Sequence, residues 1–264
     1  AQSAQHQSLW LAAINHGITI CDQHARHPYL AYIIDIPQAS PLSVIAPGDK
    51  RAASTATQTS ANGTGNGNGS GSGNGAIQPG RGGYQLFDLH NSPPIVINRM
   101  DKPIICALNG AAAGYGMDLA LGCDIRIASE NAKLGAVFAK RGVLPESGGC
   151  WYLPRLIGWA KAAEVAYLGD VLDAKRSLDL GLVNRVVPHD QLMDEAMKWA
   201  TQIANNAPLS VQATKRMMRL GQDETFEAAV DHIFLQLLPL FQSDDFKEGL
   251  SSFAERREPQ FKGR

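Results

Sequence analysis

The sequence predicts an α/β fold in which parallel strands alternate with helices. The segment KPIICALNG (102–110) is typical of a buried strand that ends at a glycine, and IRIAS (125–129) of a second strand. Between them, AAAGYGMDLALGCD (111–124) contains a glycine turn that opens a helix. After about residue 190, segments with apolar stripes at helical spacing predict a helical region. We therefore predict a core over 1–190 and a C-terminal helical region over 191–264.

The elements before this core segment are predicted from local patterns. Residues 8–26 have apolar positions at helical spacing and predict a helix, whereas the β-branched run LAYIIDI (30–36) predicts a buried strand. In residues 58–83 glycines alternate with Asn and Ser, with no strand leading in and no apolar helix following, so the G-x-G patterns are not a dinucleotide fingerprint. We expect a disordered, low-complexity insertion there. Residues 84–100 predict a partial helix, broken near the two prolines at 93–94.

Composition excludes several classes of function. The chain has 264 residues, a net charge of -1 and 44% hydrophobic residues, typical of a soluble globular protein. It has no long basic run and no apolar run long enough for a membrane span, so we expect neither nucleic-acid binding nor membrane insertion. The seven histidines lack metal-ligand spacing, and no metal site is expected. The four cysteines form no C-x-x-C pair, which predicts buried free thiols and an intracellular location.

Two local patterns could carry chemistry. At Gly114-Tyr115-Gly116, the first N–H groups of the predicted helix lack intrahelical partners, and the helix dipole adds positive potential, so the turn could stabilise an oxyanion. The glycines could equally serve only a tight turn. Glu146 lies on a Pro-Glu-Ser-Gly-Gly turn before an apolar segment that includes Trp151. It could stabilise a helix N-terminus or act as an acid/base beside an apolar pocket, and the residues alone favour the helix N-terminus.

Several of these segments together resemble the crotonase (enoyl-CoA hydratase/isomerase) superfamily. They are KPIICALNGAAAGYGMDLALGCDIRIAS, GVLPESGGCWYLPRLIG, AAEVAYLGDVLDAKRSLDLGLVNRVVP and the C-terminal SDDFKEGLSSFAERREPQFKGR. The resemblance implies a crotonase-like spiral of ββα turns with two roughly perpendicular sheets, followed by helices that build a homotrimer, often paired as a hexamer. It also implies acyl-CoA substrates, with coenzyme A as part of the substrate and no other cofactor. Family members usually begin with a strand pair before the first helix, whereas we expect this sequence to start at roughly that helix.

The resemblance assigns two backbone N–H groups to an oxyanion hole for the thioester oxygen. One falls on Tyr115, after Gly114, where the family usually has glycine in place of the tyrosine. The other falls on Gly48 in VIAPGD (44–49), which would place Ala46 and Asp49 beside the substrate.

The carboxylates distinguish the possible reactions. Hydratases of the family use two glutamates, whose positions map to Asp118, a shorter carboxylate, and Phe138, which cannot titrate. In enoyl-CoA isomerases of the same superfamily a glutamate in this turn shuttles a proton, so the resemblance favours an isomerase in which Glu146 does so, desolvated beside Phe138 and Trp151. Asp118 is then a secondary acid/base or a structural acid in the first turn of its helix. The alternatives are a hydratase that pairs Asp118 with Glu146 and a non-catalytic CoA-binding homologue.

Overall fold

The computed structural model describes residues 93–264 together with the backbone of two earlier strands, β1 (Thr19–Cys21) and β2 (Tyr32–Asp35). The predicted insertion at 58–83 and the predicted binding segment at 44–49 lie outside the described residues. β2 confirms the strand predicted over 30–36. The helix predicted over 8–26 is wrong at Thr19–Cys21, which pairs antiparallel with β2. Pairing with a neighbouring strand outweighs the local helical spacing, because Thr and Ile favour extended backbone.

The remaining elements follow in a regular succession. The first helix among the described residues begins at Pro93, where the missing N–H groups of two prolines cost nothing, so the prolines open this helix and do not break it. The elements are α1 (Pro93–Arg99), β3 (Ile104–Leu108), β4 (Ala111–Ala113), α2 (Tyr115–Gly122), β5 (Ile125–Ser129), β6 (Lys133–Gly135), α3 (Gly149–Ile157), α4 (Trp159–Leu168), β7 (Val171–Asp173), α5 (Ala174–Leu180), β8 (Arg185–Val187), α6 (Leu192–Ala204), α7 (Pro208–Leu220), α8 (Phe226–Gln242) and α9 (Asp244–Glu255).

The strands form two sheets, as predicted. The larger has the order β1-β2-β3-β5-β8, and all its pairs are parallel except β1 with β2. The register sets Ile105 opposite Ile125 and Ala107 opposite Ile127. The smaller sheet has the order β4-β6-β7. Its strand β4 leads directly to the start of α2. The two sheets therefore place the glycine turn at the end of a paired strand.

Strand β3 is buried on both faces, because helices cover both sides of its sheet. Ile105 and Ala107 belong to one apolar cluster with residues of α6. Ile104, Cys106 and Leu108 alternate with them and belong to the main cluster, which includes most of α2. Helix α6 is thus part of the core. The boundary predicted at residue 190 therefore lies just before a helix that packs against the sheet.

Ion pairs join helix α7 to two aspartates that lie just before strands β3 and β5. Lys215 Nζ lies 2.6 Å from Asp124 Oδ2, and Arg216 and Arg219 both contact the Asp101 carboxylate, at 2.5 Å and 3.1 Å. Asp124 Oδ2 also accepts the N–H of Ile104, so the first residue of β3 shares this carboxylate with α7. No helix in the described part of the chain is long and apolar enough to cross a membrane.

The described thiols differ in exposure. Cys106 and Cys123 are buried and free, as predicted, and the Cys123 thiol donates to the carbonyl of Leu119. Cys150 is exposed, which corrects the prediction of a buried thiol. It lies in the first turn of α3, next to Gly149 and ahead of the part of the helix that enters the core. The side chain of Cys21 lies outside the described residues.

The guanidinium of Arg126, on β5, is buried at the C-terminal end of α2. A helix leaves its last carbonyls without intrahelical donors and carries negative potential at that end, so a cation with several N–H groups stabilises it. The side chain also donates across the core at 2.6 Å to the carbonyl of Leu182. The carbonyls it contacts at the end of α2 are those of Ala120, Leu121 and Cys123, at 3.4, 3.3 and 2.5 Å.

We predict that Arg126→Met lowers the free energy of unfolding by roughly 3 kcal/mol or more, because several buried carbonyls lose their donors. Arg126→Lys should lose less, since an ammonium keeps some of the donors. The matched control is Arg176→Met, which removes an exposed ion pair with Glu164 and should cost about 1 kcal/mol or less. Urea unfolding followed by circular dichroism measures all three. A loss in Arg126→Met no larger than in Arg176→Met would contradict the prediction.

Candidate active site

The glycine turn between β4 and α2 has a backbone that few other residues could adopt. Gly114 precedes the helix with φ 56° and ψ -126°, a region open essentially to glycine. Its N–H donates to the carbonyl of Gly135 at 3.0 Å, and its carbonyl accepts the N–H of Asp118 at 3.1 Å. Tyr115 is therefore the first residue of α2. The predicted oxyanion donor thus lies at a helix N-terminus.

Asp118 lies one turn after Tyr115 and is 1% exposed. Its Oδ2 accepts the N–H of Ser147 at 3.0 Å, just before the start of α3. Its Oδ1 has no hydrogen-bond partner within the described residues. Asp118 therefore joins the first turn of α2 to the turn that precedes α3, and its Oδ1 is the oxygen left without a hydrogen bond.

Burial raises the pKa of Asp118 to about 6. The N–H groups of Gly149 and Ser147 act in the opposite direction by stabilising the ionised carboxylate, while the negative charge of Glu146 adds to the increase. The carboxyl group thus exchanges its proton close to neutral pH, as a general acid or base requires.

Glu146 lies in the turn that precedes α3 and is exposed. The residue before the first turn of α3 is Gly148, with φ 111°, so Glu146 does not cap this helix. The carboxylate of Asp118, on α2, instead holds the turn before this helix by accepting the N–H of Ser147. The prediction that Glu146 is desolvated is wrong, because Glu146 is exposed. It lies in the turn before α3, ahead of the helix residues that are buried. Its negative charge nevertheless raises the pKa of both Asp118 and Tyr115.

The phenol of Tyr115 is a functional group that the sequence analysis missed, because only the backbone N–H was considered. The side chain is partly buried against the main apolar cluster. Burial raises its pKa to about 12, and the charges of Glu146 and Asp118 contribute, so the hydroxyl stays protonated at neutral pH. The three-residue spacing of Tyr115 and Asp118 on one helix was the signal that could have placed them on a common face.

Gly149 has no room for a side chain. A Cβ added there would lie 2.2 Å from Asp118 Oδ1 and 2.7 Å from the Cβ of Pro145. Asp118 and Pro145 are therefore neighbours across this glycine. The close approach explains why the Pro-Glu-Ser-Gly-Gly turn needs a glycine at its last position.

The other predicted site residues have different surroundings. Phe138 is buried in the main apolar cluster. Trp151 is partly buried, its ring stacks under the guanidinium of Arg155 at 4.1 Å, and it meets Tyr152 edge to face at 5.0 Å. The structure thus brings together Tyr115, Asp118 and Glu146. The predicted residues Ala46, Gly48 and Asp49 lie outside the described residues.

Comparison with known proteins agrees with this geometry. The family described as enoyl-CoA hydratase/isomerase matches residues 94–264. The chain belongs to the enoyl-CoA hydratase/isomerase family. This family member is 43% identical over 176 residues to the (E)-benzylidenesuccinyl-CoA hydratase of Thauera aromatica. The matched region covers 66% of this chain and 69% of that relative. It is 37% identical over 193 residues to a carnitinyl-CoA dehydratase of Salmonella enteritidis, which covers 70% of each.

Solved structures show the same fold. The enoyl-CoA hydratase from Bacillus anthracis superposes with a TM-score of 0.64 at 34% identity, over 65% of this chain and 66% of that one. The enoyl-CoA hydratase from Mycobacterium tuberculosis gives 0.62 at 37% identity, over 64% and 68%. The family member thus spans about two-thirds of the length of these structures, and its α/β spiral with a helical C-terminal region is the crotonase fold.

The raised pKa of Asp118 predicts a pH-dependent difference in stability. Between about pH 4 and pH 6 the native carboxyl holds a proton that the unfolded chain releases, so stability falls as pH rises through this window. Asp118→Asn removes the cost of the buried charge. The variant should therefore be more stable than the parent by roughly 1–3 kcal/mol at pH 8, and the difference should shrink towards pH 4.

Urea unfolding from pH 4 to pH 8 measures this difference. The control is Asp190→Asn, an exposed aspartate, for which we expect no comparable trend. A difference between Asp118→Asn and the parent that stays constant with pH would show that the carboxyl ionises alike in both states.

Proposed function

We propose that the protein adds water to the double bond of an enoyl-CoA thioester, or removes it, with Asp118 and Glu146 as the acid–base pair. The observation that carries the proposal is the buried carboxyl of Asp118, with a pKa of about 6, one turn from the N–H of Tyr115 and within the field of Glu146. The two relatives named above, a hydratase and a dehydratase of CoA thioesters, support this reaction class.

The proposed reaction requires one proton to be accepted and another to be donated. One carboxylate accepts a proton from water while the water oxygen forms a bond to the β-carbon. The thioester thereby becomes an enolate, with negative charge on its carbonyl oxygen. The N–H of Tyr115 would stabilise this oxyanion, together with that of Gly48 as predicted from the sequence. The other carboxyl group then donates a proton to the α-carbon, which completes the addition of one water. The only cofactor involved is the coenzyme A of the substrate.

A second candidate is the isomerase favoured by the sequence. The observation for it is Phe138, which is buried and apolar at the position of the family's second hydratase glutamate. In that reaction a single carboxylate, Glu146, removes a proton from the α-carbon and returns it to the γ-carbon, so that the double bond becomes conjugated with the thioester. The oxyanion stabilisation would be the same, and Asp118 would have a structural role at the start of α3.

Two ultraviolet assays distinguish the candidates. Loss of conjugated absorbance from crotonyl-CoA reports hydration, and its appearance from a trans-3-enoyl-CoA reports isomerisation. For a hydratase, Asp118→Asn and Glu146→Gln should each lower crotonyl-CoA turnover by roughly 100-fold or more. Glu130→Gln, a change of another exposed glutamate, is the matched control and should keep full activity.

Other outcomes have defined meanings. Isomerisation that is lost in Glu146→Gln but persists in Asp118→Asn would favour the second candidate. Turnover that survives in both variants would reject the roles given to these carboxylates. If the parent protein binds acyl-CoA but converts neither substrate, it is a non-catalytic CoA-binding homologue for these reactions.

We also propose that the C-terminal helices form contacts between copies of the chain in a trimer or hexamer. Helix α8 has 17 residues, and none of them is buried in the single chain. An apolar helix that stays exposed is typical of a subunit interface. The exposed apolar residues of α8 are Phe226, Ile233, Phe234, Leu235, Leu238 and Phe241, and those of α9 include Leu250 and Phe253.

The double substitution Leu235→Glu with Leu238→Glu should convert the assembly to monomers, because two apolar side chains in the interface would be replaced by buried carboxylates. Light scattering coupled to size exclusion measures the mass. Leu178→Glu, on the partly exposed α5, is the control and should keep the parental mass. A monomeric parent protein, or a double variant of unchanged mass, would contradict the proposal.

A further inference from the structure

An apolar groove lies between helices α3 and α4, on the side of the turn that carries Glu146. Its volume is about 170 Å³. Three alanines of α4, Ala162, Ala163 and Ala166, leave the space open, and Leu153 lies on the α3 side. The groove is lined almost wholly by carbon atoms, which favours an apolar occupant over an ordered water.

The groove shares a wall with the carboxylates. Pro145, the residue before Glu146, lines it, and Pro145 is next to Asp118 across Gly149. Cys150, one residue further, also lines the groove. The negative charges of Asp118 and Glu146 help burial to raise the pKa of its thiol, which agrees with a short separation. A group placed in this groove would therefore begin beside the proposed acid–base pair.

The groove has the size and the walls for an aromatic ring. In other proteins an apolar cavity of about 150 Å³ holds benzene. Trp159 and Tyr167 line the groove although they are 76% and 72% exposed, so two aromatic side chains are held open to solvent at its rim. Rings of this kind, together with the flat faces of Pro145 and Pro154, favour contact with another ring.

We propose that this groove binds the aromatic end of an aryl-substituted acyl-CoA, and that Ala163 and Ala166 determine this specificity by leaving room for the ring. The inference rests on the proposed function, since the carboxylates define where the acyl chain starts. It assigns to the α3–α4 groove a preference for aryl-bearing over short aliphatic acyl groups.

Saturated thioesters test the groove without requiring turnover. Isothermal titration of the full protein compares 3-phenylpropanoyl-CoA with butanoyl-CoA, neither of which has a double bond to hydrate or move. We expect the phenyl compound to bind at least about tenfold more tightly to the parent protein, because the groove buries its ring. Ala163→Leu fills the space, and this ratio should fall to about 2 or less.

The matched control is Ala160→Leu, the same change at an exposed position of α4 outside the groove. It should retain the parental ratio. A parent protein without the tenfold preference, or an Ala163→Leu variant that keeps it, would overturn the inference. A change in molecular mass in Ala163→Leu with an unchanged ratio would also overturn it, and would indicate that a second copy of the chain occupies the groove.

Failure of the proposed function gives a different result. A parent protein that prefers the phenyl compound but does not convert crotonyl-CoA or a 3-enoyl-CoA retains the groove assignment and loses the proposed reaction. Conversion of crotonyl-CoA without any phenyl preference retains the reaction and rejects the groove.

Discussion

The buried guanidinium of Arg126 is the contact on which the position of the site depends. It binds carbonyls at the C-terminal end of α2, whereas Tyr115 and Asp118 lie towards the N-terminal end of the same short helix. Burying a cation is costly unless its donors are used, and here the donors meet carbonyls at the negative end of a helix dipole. Because Arg126 lies on the central sheet and also contacts Leu182, it fixes α2 relative to β5 and to the chain that leads into β8. The opposite end of α2 is thereby held in one place.

Asp118 combines a structural task with a chemical one. Its Oδ2 holds the turn before α3, and its Oδ1 lies against Gly149 without a hydrogen-bond partner among the described residues. A buried carboxylate of this kind lowers stability at neutral pH, and such a cost is common at functional sites. The family's usual glutamate has a longer side chain. The carboxylate of Asp118 already lies so close to Gly149 that a Cβ there would be 2.2 Å from its Oδ1, so little room remains for a longer side chain.

The sequence predicted most of the core, because its elements carry strong local signals. β5 has the predicted bounds, and the glycine turn opens α2 where expected. The errors arose where partners distant in the chain decide the outcome. Pairing with β2 made Thr19–Cys21 a strand. The exposure of Glu146 and of Cys150 likewise depends on how α3 packs, which no local pattern encodes.

The contacts of Arg126 and Asp118 also order events during synthesis. The acceptor at Leu182 is 56 residues beyond Arg126, and the donor at Ser147 is 29 residues beyond Asp118. Strand β8, which closes the edge of the sheet next to β5, follows at Arg185–Val187. A nascent chain that has emerged only through α2 holds the residues of the glycine turn but lacks the groups that fix both ends of the helix. The site therefore matures only after the chain through β8 has left the ribosome, so that a product truncated before that point retains the motif without its geometry.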